Sequence, residues 1–470
     1  MQSKRITGHW VYRSLLNTPD LVDDFNKVRF GEGTLILTAT ARGLLSGTFD
    51  FGENYQLDVT GTDTAGELRL RSVGRPGTPT AGWIYEHRGQ LASHWEYGDS
   101  QVPAIVGTVL RSVTHDGRPA GLVGSFIAVS RDQVPTKNID LLPDSVIQLV
   151  SHVDMRLHHT AWHLTRNSWG RLNVETRDAI AKLGWAVPRP SLEYSATGEQ
   201  RRAINWNGAG EDFLFMHREM LIAFKQAMSD AGAQWQSWTT IPSPGRGPTV
   251  PPAWDNGDEE DTRRFAALKT DEFYWSRMRW WDEKFKDPTY LRTLTLGQLG
   301  AQIEWSVHND MHMRWSGLPR DPVTNDPLPQ GRLVDDFDEK WNRPNSDDLA
   351  DFYSSHVNPI FYKLHGWVDD RIEDWFEAHE RFTPGEVKRR IIGSTPWFEK
   401  GLWVEVEAPW SAPGGHHHGG HHEADNDHGH PTPMNPEVMK RVIGLVAHPI
   451  GASPLAVRDR PKNLARISAW

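Results

Sequence analysis

Two pairs of histidines with a four-residue spacing are the first residues in this sequence that suggest chemistry. His159 and His163 form one pair in HTAWH, and His308 and His312 form the other in HNDMH. Both pairs lie in stretches with helical periodicity. Residues four apart lie one turn apart on the same face of a helix, so each pair can converge on a single ion.

Two single histidines lie in other stretches with helical periodicity: His217 in FLFMHRE and His365 in FYKLHGW. A single histidine on an apolar helix face is more often a hydrogen-bonded core residue than a ligand. One HxxxH pair alone also leaves metal binding open. Two pairs together with two further helical histidines favour a metal centre over six separate structural roles.

The residue types restrict which metal these histidines can bind. The chain has no cysteine, which excludes thiolate zinc sites and iron-sulfur clusters. A zinc peptidase needs Glu directly after the first histidine of the pair, but Thr160 and Asn309 stand there. We find no Glu-x-x-His spacing of the kind that carboxylate-bridged di-iron bundles use. Three neutral imidazoles per ion suit copper, and two such sets predict two copper ions.

The segment NPIFYKLHGWVD resembles a motif of type 3 copper proteins, the family of tyrosinases, catechol oxidases and hemocyanins. Pro359, Phe361, His365 and Asp369 match the DPxFxxxHxxxD motif of that family's second copper site, with HNDMH in the expected place upstream. FLFMHREML is similar to the family's F-L-x-W-H-R segment at the first copper. The resemblance covers roughly residues 145–390.

The resemblance implies a ligand set for each copper. His308, His312 and His365 match the ligands of the second copper, and we assign the first copper to His159, His163 and His217. Tyrosinases usually place one ligand of the first copper in a loop after the first helix, but no histidine occurs between Leu164 and Met216. Arthropod hemocyanins use an HxxxH pair there, as HTAWH would. His158 and His152 are alternative ligands, since His152 precedes His159 by seven residues and would share its helix face.

Five further residues acquire roles through the resemblance. Asn309 matches the position that orients a water in family members with monophenol activity, and Glu304 either shares that water or is a surface carboxylate. Asp369 is a candidate acceptor for the free ring N–H of His365. Phe361 would pack over the copper site and guide an aromatic ring, although a phenylalanine in an apolar helix is by default a core residue. Met313, next to His312, lies where substrate access varies in the family.

The chain is predicted to be a multidomain α and β protein. Residues 1–134 contain eight short stretches with two-residue alternation and glycine-bearing turns, which predict a small closed antiparallel β-barrel. Phrases such as ITGHWVY and GLLSGTFDFG resemble strands of avidin-like barrels, but a structural barrel with no ligand is the favoured interpretation, since fold alone does not imply function. The proline-bearing stretch 131–145 is the predicted linker.

A helical domain resembling the tyrosinase bundle is predicted for residues 145–395, with long helical stretches at 145–170, 211–232, 270–285, 296–317, 348–379 and 383–392. Residues 396–470 form a C-terminal segment with strand-like alternation followed by a histidine-rich loop. In type 3 copper proteins such a segment can cover the site as a lid and offer a tyrosine as placeholder. The chain has no tyrosine after Tyr362, so any placeholder must be another residue.

These observations predict a copper oxidoreductase that uses O2 to ortho-hydroxylate or oxidise a phenol or catechol to a quinone. The combination with a barrel resembles, in particular, tyrosinases that mature the pyoverdine siderophore, so the substrate is a small phenol or a phenol linked to a peptide. Two alternatives stay open: a dioxygen-binding dicopper protein without turnover, and a structural metalloprotein whose barrel binds a small ligand.

The partners and the compartment are predicted from charge and hydropathy. The net charge of −10 comes from interspersed acidic and basic residues, which argues against a nucleic-acid partner. No apolar run is long enough to span a bilayer, so no membrane partner is expected. The chain as it stands has no secretory leader, which predicts a cytoplasmic protein, or a periplasmic one if a leader was removed. Oligomers are compatible with this sequence.

The histidine-rich loop generates one prediction. Imidazole clusters bind copper and zinc without a preformed fold, so this loop is a candidate for copper loading; the alternative is an insertion with no metal role. The histidines concerned are His416, His417, His418, His421, His422, His428 and His430. If the loop loads copper, a variant lacking residues 416–430 will retain less copper than the full chain after dialysis against a chelator. An unchanged copper content would exclude copper loading and support an insertion with no metal role.

Overall fold

The structure is a computed structural model that describes residues 6–41, 43–64, 67–93, 102–132, 142–195, 201–411 and 435–451. The chain divides into two compact units, residues 1–137 and 138–470. The histidine-rich loop and its seven histidines lie outside the described residues. Among the helices of the described part, none has both the length and the apolar character that a bilayer crossing requires.

The first unit is a closed eight-stranded antiparallel β-barrel, which confirms the barrel prediction. Each strand pairs with the next, and β1 also pairs with β8, so no edge is left open. The strands are β1 Gly8–Leu16, β2 Arg29–Ala41, β3 Leu44–Asp50, β4 Gln56–Thr64, β5 Glu67–Gly74, β6 Ile84–Leu91, β7 Ala104–Arg111 and β8 Val123–Ser130.

Side-chain alternation explains why these strands close into a barrel. In β5, Leu68, Leu70 and Ser72 are buried, while the intervening residues face solvent. Buried residues of β1–β5, β7 and β8 form one apolar core inside the barrel, which includes Trp10 and Phe49, and Tyr85 and Leu91 of β6 pack against it. The barrel interior is therefore filled by its own side chains.

The second unit is mainly helical. Its helices are α1 Asp144–Ser151, α2 Val153–Ser168, α3 Val174–Lys182, α4 Ala209–Asp230, α5 Glu259–Leu268, α6 Asp271–Phe273, α7 Arg279–Lys284, α8 Pro288–Leu291, α9 Leu296–Ile303, α10 Asn309–Trp315, α11 Pro359–Phe382 and α12 Pro436–Ala447. Two π-helical turns, Tyr274–Met278 and Glu304–His308, continue α6 into α7 and α9 into α10. Two short hairpins complete the unit, with strands β9 Leu192–Tyr194, β10 Arg201–Ala203, β11 Arg389–Ile392 and β12 Thr395–Phe398.

Three predicted helical stretches differ from the structure. The stretch 145–170 breaks at His152, which ends α1 and caps α2. In the stretch 348–379 the α-helix begins only at Pro359, after a short 3-10 turn at Ser355–Val357, and Asn358 between them is extended because a residue before proline disfavours the helical conformation. The stretch 383–392 ends in β11, not a helix, because Gly393 with a φ of 60° turns the chain back into β12.

The N-terminus of α11 explains one departure from the family motif. Asn358 stands where the motif has Asp, and its side chain accepts a hydrogen bond from the Ile360 N–H at 3.0 Å. Pro359 follows at the first helical position, where a missing N–H costs nothing. Since Asn and Asp cap helices about equally well, the substitution keeps the start of the helix that carries His365.

Glycines allow α4 and α9 to cross in close contact. A Cβ on Gly210 would overlap the carbonyl oxygen of Gly297, and a Cβ on Gly300 would overlap the carbonyl oxygen of Gly210. Helix α4 carries His217, and α9 continues into the turn that ends at His308. The glycine contact therefore sets the distance between two histidine-bearing elements.

The C-terminal segment belongs to the same compact unit as the helices. Two buried carboxylates in the first turn of α4 accept hydrogen bonds from the backbone of this segment. Glu211 accepts from the N–H groups of Glu405 at 2.6 Å and Val406 at 3.3 Å, and Asp212 accepts from the Trp410 N–H at 2.7 Å. These bonds hold residues 405–410 against the N-terminus of the helix that carries His217.

The glycine contact can be tested with a matched pair of substitutions. We expect Gly300→Ala to lower the free energy of unfolding by about 1–3 kcal/mol, because the new methyl group has no room against α4. Gly444→Ala in α12 is the control. Its Cβ would meet nothing within 4 Å, so we expect a gain of about 0.5–1 kcal/mol from helix propensity. Equal effects in urea unfolding would contradict the crossing argument.

Candidate metal centre

The histidines predicted for the first copper lie together. His159 and His163 project from α2 with ring centroids 4.6 Å apart, and His163 lies 5.3 Å from His217 on α4. One ligand atom from each of the three lies within 4.8 Å of the others. All three side chains are buried. The sequence spacing therefore brings these three imidazoles to one point.

The histidines predicted for the second copper lie next to this group. Nε2 of His308 is 3.1 Å from Nε2 of His365, and the His312 ring lies 4.5 Å from the His308 ring. The geometric group that can hold an ion here consists of His217, His308 and His365, with His312 beside it at 5.3 Å from the His365 ring. The two sets are thus contiguous, and His217 contacts both.

Four of the six imidazoles are oriented by backbone carbonyl groups. The pairs are His159 Nδ1 with the Phe352 oxygen at 2.6 Å, His217 with Phe213 at 2.8 Å, His312 with Leu349 at 2.8 Å and His365 with Phe361 at 2.8 Å. A carbonyl oxygen only accepts, so Nδ1 carries the proton and donates in each pair. The lone pair of these imidazoles is then on Nε2, where a metal ion binds.

The Nε2 atoms of His159 and His217 are buried and have no hydrogen-bond partner among the described residues. A buried polar atom without a partner costs free energy, and these two lone pairs lie in the first histidine set, of which His217 also belongs to the second geometric group. The imidazoles therefore fit a cation that prefers nitrogen donors. The donor set contains no carboxylate in either group.

Burial keeps these imidazoles neutral. It lowers the pKa of His159 to about 3 and that of His312 to about 4. Burial, and then the neighbouring imidazoles, lower the pKa values of His163, His217, His308 and His365 well below the usual range. A neutral imidazole is the form that binds a metal, so no proton has to leave before an ion enters.

Asp369 does not orient His365, which corrects our prediction. The ring N–H of His365 donates to the Phe361 carbonyl one turn earlier in the same helix, and this local acceptor makes a carboxylate unnecessary. Asp369 instead accepts from Nε of Arg218 at 2.6 Å, while Nη2 of the same arginine donates to Glu373 at 2.9 Å. Arg218 follows His217 directly, so this cluster ties α4 to α11 beside the histidines.

Glu304 is buried, so it is not the surface carboxylate that we considered. Both of its oxygens accept from the guanidinium of Arg166, at 2.5 and 2.7 Å, and Arg166 also donates to the Ala209 carbonyl at 2.5 Å. Burial raises the pKa of Glu304, whereas Arg166 opposes that rise. The pair joins α2, the start of α4 and the π-helical turn that ends at His308. We therefore regard Glu304 as a positioning residue.

The π-helical turn Glu304–His308 lies directly before the second histidine pair. A π-helical turn inserts one residue into a helix and often marks a functional site. Here it separates α9 from α10 and sets the rotation at which His308 meets His365. Asn309 follows His308 directly and is buried.

Phe361 lies among the histidines, as the resemblance implied. Its ring centroid is 3.8 Å from that of His365, 5.6 Å from His159 and 5.8 Å from His312. Met313 points elsewhere, since it packs in an apolar cluster with Trp254 and Leu268. The structure thus brings Phe361 to the centre and places Met313 in the surrounding core.

The two alternative ligands have other roles. The His152 side chain accepts from the Asp154 N–H at 3.3 Å and caps α2, so it does not share the helix face of His159. Nε2 of His158 lies 3.1 Å from the Ser411 carbonyl oxygen. Neither belongs to the two geometric groups.

His356 also lies at the centre, although no sequence pattern identified it. Its ring lies 4.9 Å from that of His159, it is fully buried, and neither ring nitrogen has a partner among the described residues. Phe352, which stacks on His163 at 4.4 Å, was missed as well. Both lie before α11, in the part of the predicted helical stretch 348–379 that is not α-helical, so the helical period does not show which side chains turn inward.

The C-terminal segment approaches the first histidine group from the side of α2. The Trp410 ring lies 5.7 Å from that of Trp162, and the Trp162 indole N–H donates to the Trp410 carbonyl at 3.3 Å. Trp162 in turn packs against His163 at 4.8 Å. Trp410 is therefore separated from the first histidine group by Trp162.

Comparisons with known proteins give no assignment for this chain. No protein-family model matches it, and no curated protein matches it. The geometry of the histidines therefore has to support the functional argument by itself.

The buried Arg166–Glu304 pair yields a prediction. Glu304→Gln leaves the guanidinium without its counter-charge, and we expect a loss of about 3–5 kcal/mol in the free energy of unfolding. The exposed Arg13–Glu32 pair is the control, because Glu32→Gln should change stability by less than about 1 kcal/mol. If urea unfolding shows similar small losses for both, the pair does not hold the π-helical turn in place.

Proposed function

We propose that this protein is a type 3 copper oxidoreductase of the tyrosinase family, which uses O2 to convert a phenol or catechol into an ortho-quinone. The observation that supports this most is the convergence of six buried neutral imidazoles from α2, α4, α10 with its preceding turn, and α11. The order of these residues along the chain matches the family's order of copper ligands.

Copper is favoured over zinc and iron by the donor set. Iron in helical bundles is generally bound by carboxylates, but the nearby Glu304 and Asp369 are paired with arginines. A hydrolytic zinc site needs a general base beside its ligands, and Asn309 occupies that position after His308. Nitrogen-only sites bind Cu²⁺ most tightly among the divalent first-row metals.

The copper pair supplies the reduction of O2 and the oxidation of the aromatic ring. The protein contributes geometry: four backbone carbonyls fix the tautomer of their histidines, and the burial of all six excludes bulk water. Phe361 provides an aromatic face beside His365, against which a substrate ring can pack. By the resemblance, Asn309 would orient a water that accepts the phenol proton.

The substrate class follows from the resemblance. We propose a small phenol or a phenol linked to a peptide natural product, as for the pyoverdine tyrosinases that the barrel and helical domain together resemble. On this proposal the barrel is avidin-like in architecture, and the C-terminal segment is a lid whose Trp410 replaces a placeholder tyrosine. The two-unit division of the chain is compatible with a separate role for the barrel.

A dioxygen carrier without turnover is the second candidate, and the burial of the histidines favours it. None of the six is more than 3% exposed, and a closed centre suits reversible O2 binding. Oxygen consumption with 4-methylcatechol distinguishes the two candidates, because only an oxidase consumes O2 continuously and forms a quinone.

The copper assignment predicts a specific loss of metal. All copper contents are measured by mass spectrometry in a background that lacks residues 416–430, so that the histidine-rich loop does not contribute. In this background we expect the centre with all six histidines to hold two copper ions that are resistant to dialysis. His308→Ala should remove at least one of them and lower quinone formation by about two orders of magnitude or more, since a ligand of the second copper is lost.

His448→Ala is the matched control, because His448 is exposed and pairs with Asp335 away from the centre. It should leave copper content and quinone formation unchanged. A His308→Ala variant that keeps both copper ions would overturn the ligand assignment. Full copper loading of the wild type without oxygen consumption would exclude the oxidoreductase and support the dioxygen carrier.

A further inference from the structure

A cleft of about 720 Å³ lies apart from the six histidines, on the π-helical turn 274–278, α7, α8 and α9. It is lined by Ser276, Arg277, Trp280, Trp281, Lys284, Tyr290 and Gln302. None of these residues has a role in the proposed copper chemistry. The volume lies within the range of small-molecule sites.

Aromatic rings form one wall of the cleft. Trp280 is 50% exposed on α7. Its ring lies 4.4 Å from that of Trp281, which is only 6% exposed. An exposed indole supported by a buried one is a rigid platform on which a planar ring can stack.

The ammonium group of Lys284 lies over three of the rings. It is 4.5 Å from the centroid of Trp280, 5.3 Å from Trp281 and 4.4 Å from Tyr290. Among the described residues it has no carboxylate partner and no hydrogen bond, so its charge is balanced only by the ring faces. A cation held in this way keeps its N–H donors for a ligand.

The other polar groups of the cleft also offer donors. The Tyr290 hydroxyl donates to Oε1 of Gln302 at 2.5 Å, which leaves the Gln302 amide N–H groups without a partner in the described part of the chain. The Trp281 indole N–H is buried and has no partner there either. Arg277 pairs with Asp310 only at 3.6 Å. The cleft thus combines an aromatic platform with an excess of donors and positive charge.

We propose that this cleft binds an organic carboxylate that carries a planar ring. The ring stacks on Trp280, and the carboxylate accepts from Lys284 and the Gln302 amide. A carboxylate fits because it only accepts hydrogen bonds, and the unpaired groups here only donate. A neutral sugar would need acceptors as well as donors. A cationic ligand would be repelled by Lys284 and Arg277.

The cleft lies on the outer side of the helical elements that carry the second histidine pair. Ser276 and Arg277 belong to the π-helical turn, and Arg277 pairs with Asp310 of α10, two residues after His308. Gln302 is the last residue but one of α9, just before the turn that ends at His308. Binding in the cleft is a separate property from metal binding and does not depend on the proposed copper chemistry.

Calorimetric titration of the full chain with indole-3-acetate tests this proposal. Tryptamine, its cationic counterpart, and indole-3-acetamide, its neutral one, are titrated in parallel. We expect saturable binding of indole-3-acetate, weaker binding of the amide and none of tryptamine. Lys284→Gln should weaken indole-3-acetate binding about tenfold, because a charge-assisted hydrogen bond is lost. Trp280→Ala should weaken the binding of both indole-3-acetate and indole-3-acetamide.

Trp275→Ala is the matched control, because Trp275 is 53% exposed on the same segment but does not line the cleft. It should leave the affinity unchanged. His308→Ala should also leave it unchanged, which separates the cleft from the histidine centre. Loss of binding in either of these variants, equal binding of tryptamine, or no binding of indole-3-acetate to the wild type would overturn the proposal.

Discussion

The hydrogen bonds from histidine Nδ1 atoms to backbone carbonyls are the constraint on which the centre depends. Each bond fixes both the orientation of an imidazole and the nitrogen that carries its proton, so that Nε2 is left for an ion. Two of the acceptors, Phe213 and Phe361, lie one turn before their own histidines. The other two, Leu349 and Phe352, lie in the irregular stretch before α11. That stretch is therefore as important to the centre as the helices.

The helices can hold these bonds only if their spacing is fixed. The glycine contact between α4 and α9 allows the two backbones to approach without side chains between them. Arg166 and Glu304 then lock the π-helical turn to α2, and Arg218 with Asp369 locks α4 to α11. A buried pair of this kind contributes little net stability, but the loss of one partner is costly, so such pairs specify one arrangement.

The sequence predicted the parts of this protein that depend on local periodicity. The eight strands alternate with a period of two, and the histidine pairs are spaced by one helical turn, so both could be located in advance. The partners of Asp369 and Glu304 could not, because Arg218 and Arg166 are distant in sequence and become neighbours only when helices pack. His356 and Phe352 were not identified because residues 348–358 were predicted as helix, and the helical period does not apply to the backbone they adopt. The strand β11 was predicted as helix because basic and apolar residues in RRII suit either structure.

The charges around the centre have a consequence for its chemistry. Glu304 and Asp369, the carboxylates singled out beside the histidines, are neutralised by Arg166 and Arg218, so neither offsets positive charge within the histidine cluster. The imidazoles themselves are neutral. Under the proposed function, the charge of a bound copper pair would therefore be uncompensated by ligands. A buried positive site of this kind favours an anion over a neutral molecule, which lowers the cost of deprotonating a phenol as it enters.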